Sequence, residues 1–216
     1  MNIIQKILSE ARAEMQLQRD AIESRRIIKQ MPDSFFLELI QIECSAAMAK
    51  HNRLNDYEIT EQNKPILKQL WLWLCNNAEF EGDLNKGIMI AGTNGIGKTI
   101  MMQGYCNLIR RCAQKTIRQI HAKRLAWELK KNGYDDFLQL PLFIDDLGKE
   151  QREMVEFGTR IQPIVDLMAM RYDTGAITFV TTNYKLDTMK EFYGNTIIDR
   201  FSEMFNIIEM GGKSYR

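Results

Sequence analysis

Apolar residues open the chain at helical spacing. Ile3, Ile4, Ile7, Leu8, Ala11, Met15, Ala21 and Ile22 recur mostly three or four apart and predict a helix over residues 2–30. Pro32 interrupts the run, and Asp33 stands where it can cap a second helix carrying Phe36, Leu37, Ile40, Cys44, Ala47 and Met48. Residues 51–60 are polar and loop-like. A third helix is expected from Lys64 to about Asn77, with Leu67, Leu70, Trp71 and Leu74 apolar and Pro65 suited to its first turn.

After Gly82 the pattern changes, and short β-type runs alternate with helical ones. Strands are expected at 87–91, 117–121, 140–145, 176–181 and 205–210. Helices are expected at 98–112, 123–131, 160–172, 186–192 and 195–201. Such alternation predicts an α/β core, a parallel sheet wrapped by helices. The chain thus divides into a helical region over 1–60 and an α/β core over 61–216.

Composition narrows the function classes. The 216 residues are 45% hydrophobic and 26% charged, an ordinary balance for a soluble domain, and no apolar run approaches the roughly 20 residues that span a bilayer. Charges mixed into the first twelve positions argue against a secretory signal, so a cytoplasmic protein without a membrane partner is expected. The four cysteines form no CxxC pair and there are only two histidines, which leaves no zinc-ligand spacing and predicts reduced, buried thiols.

The strongest chemical signal is Gly92-Thr93-Asn94-Gly95-Ile96-Gly97-Lys98-Thr99, which fits GxxxxGK[ST] between an expected strand and an expected helix. Glycines let successive backbone N–H groups turn inward around phosphate oxygens, and the helix N-terminus adds its positive dipole end. Lys98 is expected to reach the β- and γ-phosphates of ATP or ADP, and the Thr99 hydroxyl to ligate Mg²⁺.

Downstream, Leu142-Phe143-Ile144-Asp145-Asp146 is an apolar strand ending in two carboxylates. Two turn-forming aspartates at a strand end explain it equally well. Beside a phosphate loop, however, Asp145 is expected to hold the metal and Asp146 to orient or deprotonate the attacking water. Asp145 to Gly148 also spells the DxxG element of GTPases. The base-reading segment such enzymes need is missing, because Asn183-Tyr184-Lys185-Leu186-Asp187 is one residue too long.

Taken in order, AGTNGIGKT, LFIDDLGKE, ITFVTTNYKLDTM, YGNTIIDRFSEMF and GGKSYR resemble the DnaC/IstB branch of AAA+ ATPases, over roughly Lys64 to Arg216. That branch holds bacterial and phage replicative-helicase loaders and transposase-helper ATPases. The resemblance implies a five-stranded parallel sheet of order 5-1-4-3-2 without a helical lid domain. It implies Gly92–Thr99 as Walker A, Asp145 and Asp146 as Walker B, and Asn183 as the polar sensor of the γ-phosphate region. Arg200 matches the arginine finger that completes a neighbouring subunit's site, and Arg216 a C-terminal sensor arginine. Taken singly, Asn183 also reads as a cap for the helix at Leu186, and Arg200 as a solvated helix residue. No zinc-binding cysteines of the kind some loaders carry occur in the first 60 residues.

The branch further implies partners. A helicase loader would dock its N-terminal helices on a hexameric DnaB-type replicative helicase and bind single-stranded DNA, with slow, assembly-dependent hydrolysis. A transposase helper would bind double-stranded DNA, and a nucleotide-bound adaptor would hydrolyse little. Although the net charge is only +1, residues 101–131 hold eight basic residues against the single acid Glu128. Lys115, Arg118, Lys123, Arg124, Lys130 and Lys131 are the DNA-contact candidates, with Trp127, Tyr134 and Phe137 as stacking surfaces. The same pattern also describes a solvated helix face with aromatics in the core.

Overall fold

The computed structural model describes residues 3–24, 31–156 and 158–212. Helices α1 (Ile3–Ser24), α2 (Asp33–Ala49) and α3 (Lys64–Leu74) lead into strand β1 (Gly87–Gly92). Then come α4 (Lys98–Ala113), β2 (Arg118–His121), α5 (Ala122–Asn132) and β3 (Leu142–Leu147). A hairpin of β4 (Met154–Glu156) and β5 (Thr159–Ile161) precedes α6 (Pro163–Thr174) and β6 (Thr178–Thr182). The chain continues through α7 (Leu186–Tyr193), α8 (Asn195–Met204) and β7 (Phe205–Met210).

The main sheet is parallel throughout, in the order β2-β3-β6-β1-β7. In a count of all seven strands this differs from the expected 5-1-4-3-2, because the hairpin takes two numbers. Over the five sheet strands alone, the two orders coincide. Each central strand feeds both faces by simple alternation. In β1, Ile88 and Ile90 join a cluster with α2, α3 and α4, while Met89 joins one with α5 to α8. In β3, Phe143 goes to the first cluster, and Leu142 and Ile144 to the second. Apolar residues on both faces are what a sheet covered by helices on both sides requires.

Packing is continuous across residue 60. Phe36, Ile40 and Cys44 of α2 share one cluster with Leu67, Leu70, Met101 and Tyr105. Arg111 Nε donates to the buried Glu43 carboxylate at 2.5 Å, tying α4 to α2. In α1, by contrast, residues 3–20 are all exposed. The helix expected over 2–30 is described as far as Ser24, and residues 25–30 lie outside the described residues.

The hairpin corrects the helix expected to start at residue 160. Proline lacks an N–H and holds the residue before it out of the helical region, so a helix is well started at Pro163. Gln162 accordingly has φ −121 and ψ 77, and Thr159–Ile161 pair as a strand. Another unforeseen feature is Arg171, wholly buried on α6. Its guanidinium donates to Thr178 Oγ1 and to the carbonyls of Phe137, Leu140 and Ile177. Burial lowers its pKa to about 10, which leaves it charged at neutral pH. It fastens the segment before β3 to the start of β6.

Candidate functional site

Three strand ends, those of β1, β3 and β6, bring the expected residues together. β1 delivers Gly92 to the loop, and α4 begins at Lys98, so the first turn of the helix is the loop's far wall. Gly95 and Gly97 have φ of 84 and 93, values that residues with a Cβ adopt rarely. Gly97 is thereby the N-cap of α4, whose first-turn N–H groups have no acceptor one helical turn back along the chain.

Lys98 is buried, and its Nζ donates to the carbonyls of Gly92 (2.8 Å) and Thr93 (2.7 Å) and to Asn183 Oδ1 (2.8 Å). Thr99 Oγ1 donates to Asp145 Oδ1 at 2.7 Å, so the two expected metal ligands meet directly. A second hydroxyl, Thr181 Oγ1, donates to the same carboxylate oxygen at 2.6 Å. Asn183 is a hinge of the network, since its Nδ2 donates to Asp146 Oδ1 at 2.8 Å.

Two consecutive strand residues normally point to opposite faces, which would send one aspartate away from the loop. Here the β3–β6 register shifts between Ile144 and Leu147, and Asp146 has φ 56. This bulge turns the second carboxylate back toward the first. Ligand atoms of Asp145, Asp146 and His121 lie within 4.8 Å of one another. The carboxylates and the Thr99 hydroxyl are hard oxygen donors and fit Mg²⁺ with an incomplete protein shell, which a triphosphate and water can finish. Gly92–Thr99 fit phosphate by their glycine conformations and the buried ammonium.

His121 was not foreseen. It ends β2 opposite Asp145, with Nε2 3.8 Å from Asp146 Oδ2, and its Nδ1 accepts from Lys123 N to cap α5. Thr181, Glu150 and Tyr193 were also missed. Thr181 could have been found from its place two residues before Asn183 in a strand ending at the site. His121 needed the β2–β3 register, which no local pattern reveals.

Other candidates lie elsewhere. Arg200, on α8, has its guanidinium 5.5 Å from the centre of the Tyr172 ring. Arg216 lies outside the described residues. Lys123, Arg124, Lys130 and Lys131 are exposed on α5 with Trp127, whose ring is 5.0 Å from Lys131 Nζ. Arg118 and Arg124 both donate to Glu128, at 2.9 and 2.7 Å, and Arg118 also covers the Phe137 ring. Lys115 sits half-buried between α4 and β2. Of the three expected stacking aromatics, only Trp127 is exposed, and Phe137 is in the core.

The five-stranded parallel sheet with helices on both faces matches the AAA+ P-loop fold. The DnaC helicase loader shares this fold at a TM-score of 0.58 and 19% identity, over 72% of this chain and 93% of that one. DnaI does so at 0.56 and 21% identity, over 73% of this chain and 86% of that one. The replication initiator DnaA, bound to AMPPCP and single-stranded DNA, matches at 0.51 and 17%, over 73% of this chain and 49% of that one. No family model matches this sequence, and no curated protein matches it. Among the described residues, no helix is long and apolar enough to cross a membrane.

Proposed function

We propose that this chain is a slow ATPase that serves as a DnaC-like helicase loader in the initiation of DNA replication. The observation that carries the reading is the linked network Lys98–Asn183–Asp146 beside Thr99–Asp145, at the mouth of a phosphate loop. Lys98 exchanges its carbonyl partners for phosphate oxygens when ATP enters. Thr99 and Asp145 hold Mg²⁺, which neutralises charge on the phosphates and orients them when bound. Asp146 positions the attacking water, and Asn183 reports on the γ-phosphate end to Lys98 and Asp146 alike. Arg200 acts on the site of a neighbouring copy, making hydrolysis depend on assembly.

The loader role draws on the fold shared with DnaC and DnaI and on two surfaces. The α1 helix exposes Ile3, Ile4, Ile7 and Leu8, apolar area suited to docking on a replicative DnaB-type helicase. On α5, four cations flank an exposed indole, a combination suited to a single-stranded DNA backbone and its bases. The test is binding of labelled single- and double-stranded DNA, with ATP and with ADP, across a salt series. A preference for single strands with ATP supports the loader. Preference for duplex points to the transposase-helper reading, and indifference to nucleotide points to an adaptor.

A further inference from the structure

Asp146 is a non-glycine residue in the left-handed region, at φ 56. That conformation is unfavourable for a residue with a Cβ and persists only where the surroundings impose it. What imposes it begins at the turn that follows. Lys149 N donates to Asp146 O at 3.1 Å, closing a four-residue turn with Gly148, φ 97, at its third position. The α-carbon of Gly148 lies against the Tyr184 ring, and a Cβ there would stand 2.6 Å from it.

Glu150 completes the clamp, although the chemistry proposed above makes no use of it. Its side chain is buried, Oε2 accepts from Gly148 N at 2.8 Å, and Oε1 accepts from the Tyr193 hydroxyl. Tyr193 is itself buried, and burial followed by the Glu150 charge pushes its hydroxyl pKa far above the usual range. A buried carboxylate is costly unless it is hydrogen-bonded, and here both oxygens are used. We propose that Glu150 and Tyr193 form a brace that positions Asp146, by locking the turn whose first residue carries the water-orienting carboxylate. The brace deepens the ATPase reading and rests on it. Because Tyr193 is the last residue of α7, and α8 follows across Gly194, the brace also joins this turn to the helix pair bearing Arg200.

Chemistry separates the brace from simple packing. Glu150→Ala leaves the Gly148 N–H and the Tyr193 hydroxyl unmatched. Glu150→Gln can restore both bonds, its amide oxygen accepting from Gly148 and its NH₂ donating to Tyr193. Tyr193→Phe removes a single hydroxyl and keeps the ring, which guards against a variant that fails to fold. The experiment measures steady-state ATP hydrolysis by the full chain, equilibrium binding of a fluorescent ATP analogue, and melting temperature. Glu150→Ala and Tyr193→Phe are expected to lower kcat about tenfold, with nucleotide Kd within about twofold, and Glu150→Gln to retain most of the turnover. Turnover in the unmodified chain that all three variants match would overturn the brace and spare the ATPase reading. So would losses of kcat and affinity in equal proportion. If the unmodified chain binds ATP without hydrolysing it, the ATPase reading falls and takes the brace with it.

Discussion

The two sides of the proposed nucleotide site are built in opposite ways. The phosphate loop is one contiguous octapeptide, shaped by Gly95 and Gly97 and answered by the first residue of the helix that follows. The acidic side is assembled from afar. Asp145 and Asp146 come from β3, but their geometry depends on Thr181 and Asn183 of the β6 edge, His121 of β2 and the Glu150–Tyr193 pair. A contiguous motif suits gripping, because its donors are fixed by local backbone geometry. A long-range assembly suits control, because each supporting element can move and carry the acid with it. The loop side should therefore govern affinity, and the acidic side turnover.

Four variants sharpen or break that division. Lys98→Ala removes charge-assisted bonds to two phosphates, so ATP affinity should fall on the order of a thousandfold in an equilibrium titration. Asp146→Asn keeps the shape and removes the base, so single-turnover hydrolysis should slow about a hundredfold while affinity changes little. Thr181→Val is nearly isosteric, but it takes a hydroxyl from Asp145 and an acceptor from Asp146 N. Turnover should fall about tenfold, as expected for one or two buried hydrogen bonds near the reacting atoms. The smallest effect is expected at the surface. Ile7→Ser with Leu8→Ser on exposed α1 should leave melting temperature and ATP binding unchanged, and only capture of a helicase partner should suffer. If Thr181→Val weakened ATP binding as much as turnover, the division between grip and control would not hold.

Legibility in the sequence follows the same line. β1, α4 and the Gly92–Thr99 loop were readable because each is encoded locally, by apolar runs, a helical period and glycines at fixed spacing. Even β7 was legible to its ends, since Phe205–Met210 is a β-rich run closed by two glycines. The sheet order came from resemblance rather than from periodicity, which cannot say which strands lie side by side. The β4–β5 hairpin is not legible, and the helix expected from residue 160 takes in the last two residues of β5, although Pro163 carries the boundary signal. Arg171 was invisible, because a buried arginine on a helix looks like a surface one until its carbonyl partners are brought over it. The bulge at Asp145–Asp146 was hidden as well, being a property of two strands together. Nor did the N-terminal pattern separate α1 from α2. Both carry apolar residues at helical spacing, yet only α2 has Phe36, Ile40 and Cys44 buried against the core.

The most direct measurement is a calorimetric titration of the full chain with ATP, with and without Mg²⁺. Saturable binding at one site per chain, strengthened by Mg²⁺ through the Thr99 hydroxyl of the loop, is the predicted result. Absence of binding, or binding indifferent to Mg²⁺ and to loss of the Lys98 ammonium, would contradict the assignment of this cleft to a nucleotide.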